Sequence, residues 1–392
     1  MNDKLLMVAP TMFSADYGGS IRIIEHVKAF KRIGCSIRLQ TYSLKGNLDK
    51  EQSIKVDTLP YVPRFYQGAM LDRGYLDLAM TLKMILSRNV KPDFILSYNQ
   101  EATIAAKVAN LHKVPLVTDV QGILREEMAS LNKFSGVERL VSIFEKKLFE
   151  FPSLILTSSP FIAKYLNREV GVNSKKLKVL LDTADTEIFM PRPKHDLRVR
   201  NFRSALGISE DVRVVSYVGT FSPLQGTDIL LKAAKYVLER EKNLFFLLAG
   251  GRWSSYYTSY IQLAKNLGVS SKIKFLPGVD YIHDLPYLLN LSEVAVAPKR
   301  FSLQSHGKLA ALMASGLPTV VWDNPLNRIF LDNLGIYAKD ISVEALGEAI
   351  ISSLSKAKDE SFRLKLRARA ERDFSLNRLV TDMLGIRKML VA

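Results

Sequence analysis

The chain has 392 residues, 47% of them hydrophobic, which is enough for two domains with sizeable cores. Its 55 Lys and Arg against 39 Asp and Glu give a net charge of +16, spread over both halves; this suits an anionic small ligand, an anionic membrane surface or a merely solvated basic surface, and nucleic acid least, since zinc-finger, aromatic RNA-binding and helix-turn-helix patterns are missing. Cys35 is the only cysteine, which excludes a disulfide framework and any metal site built from several thiolates.

The opening run "LLMVAP" is too short for a signal peptide, and no apolar run approaches the ~18 residues of a membrane span. A cytoplasmic location follows as the expectation, with peripheral contact at the inner membrane face as the charge would allow.

In chain order, short apolar strands alternate with amphipathic helices. "KLLMVAP" (4–10) reads as a buried strand, and "IRIIEHVKAFKRIG" (21–34) as the helix after a loop. "SIRLQTY" (36–42), "DFILSY" (93–98), a helix at 101–112, "PLVTDV" (115–120), "SLILTSS" (153–159), a helix at 160–169 and "LKVLL" (177–181) continue the series. "MPRPKHD" (190–196), with two prolines and several charges, reads as a linker. A second series follows: "VRVVSYVG" (212–219), a helix at 226–240, "LFFLLAGG" (244–251), "KIKFLPG" (272–278), "VAVAP" (294–298) and "TVVW" (319–322). The alternation predicts α/β architecture, two tandem Rossmann-like domains with parallel sheets facing across a cleft. The expected bounds are 1–190, 191–375 and a final helix at 376–392 that packs back on the first domain.

Such sheets bind ligands beyond the carboxyl ends of their strands, where helix N-termini favour anions. Four loops fall there: "SADYGGS" (14–20), "VGTFSPLQG" (218–226), "LAGGRW" (248–253) and "SHGK" (305–308). Each alone reads first as a turn, since a glycine after a strand usually marks one, but four in register across two domains favour a binding role for the set. In "SHGKLAALMASGLPTVV" (305–321) Ser305 is a candidate cap and Gly316 a helix stop before a β-branched run.

The order and spacing of these segments resemble the retaining nucleotide-sugar glycosyltransferases of the GT-B fold, family 4 or group 1 type. "YGGSIRIIEHVKAFKRIG" resembles that family's glycine loop and first helix. "VLLDTADTEIFMP" (179–191) resembles its exit from the first domain, and "YVGTFSPLQGTDILLKAA" (217–234) the opening of its donor domain. "LAGG", "KIKFLPGV", "LPYLLNLSEVAVAP" and "GKLAALMASGLPTVV" follow in the family's order.

The resemblance implies a nucleotide-sugar donor held by the second domain and a glycan or lipid-linked acceptor held by the first, with no metal or other cofactor and no nucleic acid. It places Gly18 and Gly19 at an acceptor-side phosphate loop. It places Gly219, Thr220, Gln225, Gly251, Arg252, Gly278, Val279, His306, Gly307, Leu309 and Ala311 around the donor, and Gln121, Asp119 and Lys308 at the chemistry. Glu126 and Glu127 are further candidate acids, or a solvated helix face.

Several positions depart from the family's pattern. Two glutamates eight apart fall on Leu303 and Ala311; an arginine and a lysine aimed at the diphosphate fall on Thr220 and Gln225; a histidine falls on Gln121. The resemblance therefore carries two readings. One is a glycosyltransferase with an unusual donor pocket. The other is a degenerate member that binds a glycan, a nucleotide or a partner transferase without turnover. A phosphorylase or an epimerase on the same fold is a more distant reading, and the carboxylate array an epimerase needs is not found.

Overall fold

Runs of Val, Ile, Leu and Met with few intervening charges build strands covered on both faces, the signature of parallel sheets. The computed structural model describes residues 3–16, 18–62, 70–86, 91–110, 113–123, 126, 138–193, 195–250 and 254–391. The chain forms two compact units. The first holds Met1–Asp182, Ser302–Ser305 and Leu379–Ala392; the second holds Thr183–Phe301 and His306–Arg378.

The first unit contains β1 (Lys4–Phe13), β2 (Ser36–Leu44), β3 (Lys55–Asp57), β4 (Phe94–Tyr98), β5 (Leu116–Val120), β6 (Leu154–Thr157) and β7 (Leu177–Val179). They pair in the order β3-β2-β1-β4-β5-β6-β7, parallel throughout. Met7 of β1 pairs with Leu39 of β2 on one side and Leu96 of β4 on the other. Strand order reverses direction at β1 and β4, so the helix Gly18–Arg32 lies on one face of the sheet. The helices Met70–Leu86, Asn99–Ala109 and Glu138–Leu148 lie side by side on the other. The last helix, Leu376–Val391, is fixed in this unit by Arg387, which binds Asp3 and donates to the Ile33 carbonyl at 3.0 Å.

The second unit contains β8 (Arg213–Val218), β9 (Leu244–Ala249), β10 (Ile273–Leu276), β11 (Val294–Ala297), β12 (Thr319–Trp322) and β13 (Ile336–Ala338), parallel in the order β10-β9-β8-β11-β12-β13. Its core joins Val215 and Tyr217 of β8 to Leu230, Ala234 and Val237 of the helix Thr227–Arg240 and to Leu346 and Ile350 of the helix Val343–Lys356. The order reverses at β8 and β11, which makes the ends of those two strands the place where loops splay apart.

One local expectation needs correcting. The helix expected from Ser305 starts at Lys308 and ends at Ala314, with Gly307 at its N-cap and no side-chain cap. Ser305 instead belongs to the short segment 302–305 built into the first unit.

Candidate functional site

In the second unit the ends of β8 and β11 bring several expected residues together. Beyond β8, the Gly219 N–H donates to the Ala249 carbonyl at 2.9 Å, and the Tyr217 hydroxyl turns back to the Thr220 carbonyl at 2.6 Å. Phe221 is fully buried, stacked on Tyr257 at 5.6 Å, and anchors the loop. The loop ends at Gly226, whose φ of 71° no L side chain adopts easily. A Cβ added there would strike the Pro298 carbonyl oxygen, which also accepts from Trp322 Nε1 at 2.6 Å. A backbone bond from Arg300 N–H to the Leu224 carbonyl, 2.9 Å, ties the loops after β8 and β11.

Lys308 lies at this junction. Its Nζ donates to Gln225 Oε1 at 3.0 Å, stands 4.8 Å over the Tyr217 ring, and approaches the Gly219 backbone so closely that a side chain there would displace it. Among the described residues no carboxylate pairs with it. Loss of water around the half-buried amine, reinforced by the charge of buried Lys299, pushes its pKa down to about 7.

His306 is buried, and desolvation, with Lys308 and Lys299 nearby, holds its pKa well below the ordinary value, so the ring is neutral. Asn327 donates through Nδ2 to the Trp322 carbonyl at 2.8 Å, which leaves its Oδ1 to accept from His306 Nδ1 at 2.7 Å. That network puts the proton on Nδ1 and leaves Nε2 as a buried acceptor without a hydrogen-bond partner among the described residues.

The other expected donor residues take varied places. Leu309 and Ala311 are buried in the helix Lys308–Ala314, and Gly307 caps it. Gly278 and Val279 follow β10, whose Leu276 carbonyl receives the Gly250 N–H at 2.9 Å. Gly251 and Arg252 lie outside the described residues, as does Glu127.

In the first unit the corresponding strand ends hold a buried polar cluster. Arg22 binds Asp119 through both oxygens at 2.8 Å each, binds Asp182 at 2.7 Å and donates to the Leu180 carbonyl at 2.8 Å. Although burial opposes ionisation, the Arg22 guanidinium holds the Asp119 carboxyl below its usual range. His26, bonded through Nδ1 to the Tyr98 hydroxyl at 3.0 Å, is pushed by burial to about 3 and is neutral.

Gln121 is half-buried beside this cluster. Its Nε2 donates to Asp119 at 3.3 Å, and its N–H donates at 2.9 Å to Asn99 Oδ1. Asn99 takes a φ of 61° to reach it. Gly18 and Gly19 open the helix Gly18–Arg32, and a Cβ at Gly18 would meet open space. Leu303 packs on the first unit's cluster around Val120, Ile123 and Ile162, with its N–H on Glu126 at 3.0 Å and its carbonyl on the Ser159 hydroxyl. Arg22, Asp182 and Lys299 were not singled out from the sequence, because charged residues on amphipathic helices and loops read as solvated.

Residues 199–373 match the family described as glycosyl transferases group 1. Over 212 residues the chain is 28% identical to the D-inositol 3-phosphate glycosyltransferases of Mycobacterium tuberculosis and Mycobacterium bovis, a stretch covering 53% of this chain and 42% of theirs. The chain thus matches less than half the length of those curated relatives. Among solved structures, HepE of Anabaena in complex with UDP and glucose shares 17% identity at a TM-score of 0.77, covering 99% of this chain and 100% of that one. Sucrose-phosphate synthase of Thermosynechococcus elongatus shares 15% at a TM-score of 0.78, covering 99% of each. Residues 199–373 thus resemble the glycosyl transferases group 1 family, and the two parallel Rossmann-like sheets are those of the GT-B fold.

Proposed function

We propose that the chain transfers a sugar from a nucleoside diphosphate donor, with retention of configuration, to a glycan or lipid-linked acceptor. The observation that supports this is Lys308: a desolvated amine at the strand-order reversal of the second unit, hydrogen-bonded to the neutral amide of Gln225 and paired with no carboxylate among the described residues. A cation so placed gains most from an anion that displaces the amide.

Breaking the bond between the anomeric carbon and the diphosphate leaves charge on the departing oxygen. The Lys308 ammonium, seconded by Lys299, stabilises that charge in a poorly hydrated site. Gly219 lets the backbone and the amine approach together. His306 Nε2 supplies an acceptor for a donor hydroxyl. In the first unit, Asp119 is held by Arg22 and anchors Gln121, leaving the Gln121 amide to meet the acceptor.

Binding without turnover is the second reading. It is favoured by the apolar Leu303 and Ala311, and the neutral Thr220 and Gln225, at positions where the family resemblance implies charged groups. Release of UDP from UDP-glucose, with and without oligosaccharide acceptors, separates the two. Turnover that Lys308→Met abolishes supports transfer; UDP binding with no release from any nucleotide sugar supports the second reading.

A further inference from the structure

The side of the first unit's sheet that carries three neighbouring helices presents an uncommon surface. The helix Met70–Leu86 is apolar on two opposite faces. Leu76, Met80 and Met84 point into the core, while Tyr75, Leu78, Leu82 and Leu86 recur at helical spacing on the outer face, 58%, 60%, 53% and 82% exposed. Next to it, the helix Asn99–Ala109 exposes Ile104 and Val108, and beyond that the helix Glu138–Leu148 exposes Ile143 and Phe144.

Apart from Gly74, every exposed residue whose side chain is described on these three helices is apolar or a lysine, namely Lys107, Lys146 or Lys147. The carboxylates described there are withdrawn. Glu145 is buried and accepts from the Tyr165 hydroxyl at 2.9 Å, Asp77 accepts from the Tyr42 hydroxyl, and Glu101 is half-buried. The Lys107 amine lies 5.0 Å above the Phe151 ring, at the border of the apolar area. A soluble monomer seldom leaves so much apolar surface on neighbouring helices.

We propose that this face docks on the surface of an anionic lipid bilayer. Apolar side chains enter the boundary between headgroups and acyl chains, and the lysines meet lipid phosphates. Charge selects this occupant: among the described side chains of these helices the lysines are exposed and the carboxylates turn inward, which complements a negatively charged plane. No described helix is long and apolar enough to cross a membrane, so the contact is peripheral. The inference stands apart from the donor-site reading, since it uses no residue of the second unit.

Flotation of the full chain with vesicles of phosphatidylcholine, alone or mixed with phosphatidylglycerol, tests it. The chain is expected to float with the mixed vesicles and to be released by salt. Leu78→Glu combined with Leu82→Glu is expected to weaken partitioning about tenfold or more, and Lys146→Glu with Lys147→Glu about as much. The thermal midpoints should be unchanged because these side chains are exposed, and calorimetric binding of UDP, whatever it is, should be unaltered. Failure to float with the mixed vesicles overturns the proposal, as does equal flotation with neutral ones. A dimer that the Leu78 and Leu82 changes dissociate, in a chain that ignores vesicles, also overturns it and assigns the face to a second copy.

Discussion

Lys308 Nζ and Gln225 Oε1 meet at 3.0 Å, with the Tyr217 ring 4.8 Å from the same amine. An amide oxygen satisfies one N–H of an ammonium without neutralising it, and desolvation leaves that charge strained. A poorly hydrated charge without a counter-charge costs stability until an anion meets it, which is what the proposed role of Lys308 requires.

Replacing Lys308 with methionine is therefore expected to separate the two properties. UDP affinity should fall about 10- to 100-fold, the worth of a charge-assisted contact. The thermal midpoint should hold or rise, because a poorly solvated charge is gone. Calorimetry and thermal denaturation of the same preparation check this. A midpoint that drops while affinity stays level would make Lys308 a packing residue.

The pH dependence follows from the same amine. In the free protein its pKa is about 7. A bound diphosphate raises it, so the complex holds a proton that the free protein lacks above pH 7. Affinity should fall as pH rises from 7 toward 9, by up to about tenfold per unit. Titrations at pH 8 in buffers of different ionisation enthalpy should show proton uptake, and Lys308→Met should remove it. Equal heats in all buffers would contradict the assignment.

The Arg22–Asp119 pair predicts a stability effect in the first unit. Arg22→Met leaves Asp119 buried without its bidentate partner, and is expected to cost about 3–5 kcal/mol in urea unfolding. A loss below about 1 kcal/mol would mean that the cluster relaxes to solvent.

Gly226→Ala should be damaging in the second unit, since it combines a left-handed φ of 71° with a clash on the Pro298 carbonyl. An unfolding loss of more than about 1 kcal/mol is expected, with weaker UDP binding as the loops after β8 and β11 shift. Full affinity and stability would show that this junction gives way easily.

Much of the sheet architecture was legible because parallel strands buried on both faces are continuous apolar runs; "TVVW" is β12 residue for residue. The three-residue edge strands β3 and β13 have too little pattern to stand out. The helix Met70–Leu86 escaped because apolar residues on two faces blur the 3.6 period, and this is the feature that makes its outer face notable.

The site was legible in part. Lys308 and His306 are candidates through resemblance, but the low pKa of the one and the proton position on the other depend on burial, Lys299 and Asn327. Arg22 and Asp119 lie 97 positions apart, a distance at which no sequence period reports pairing.

The central claim is that the reversal point of the second sheet receives a nucleoside diphosphate on Lys308. Calorimetric titration of the native chain with UDP tests it most directly. The expected result is saturable heat at a single site per chain, lost or much weakened in Lys308→Met. The absence of heat with UDP, GDP and ADP alike, or binding indifferent to the Lys308 change, would contradict it.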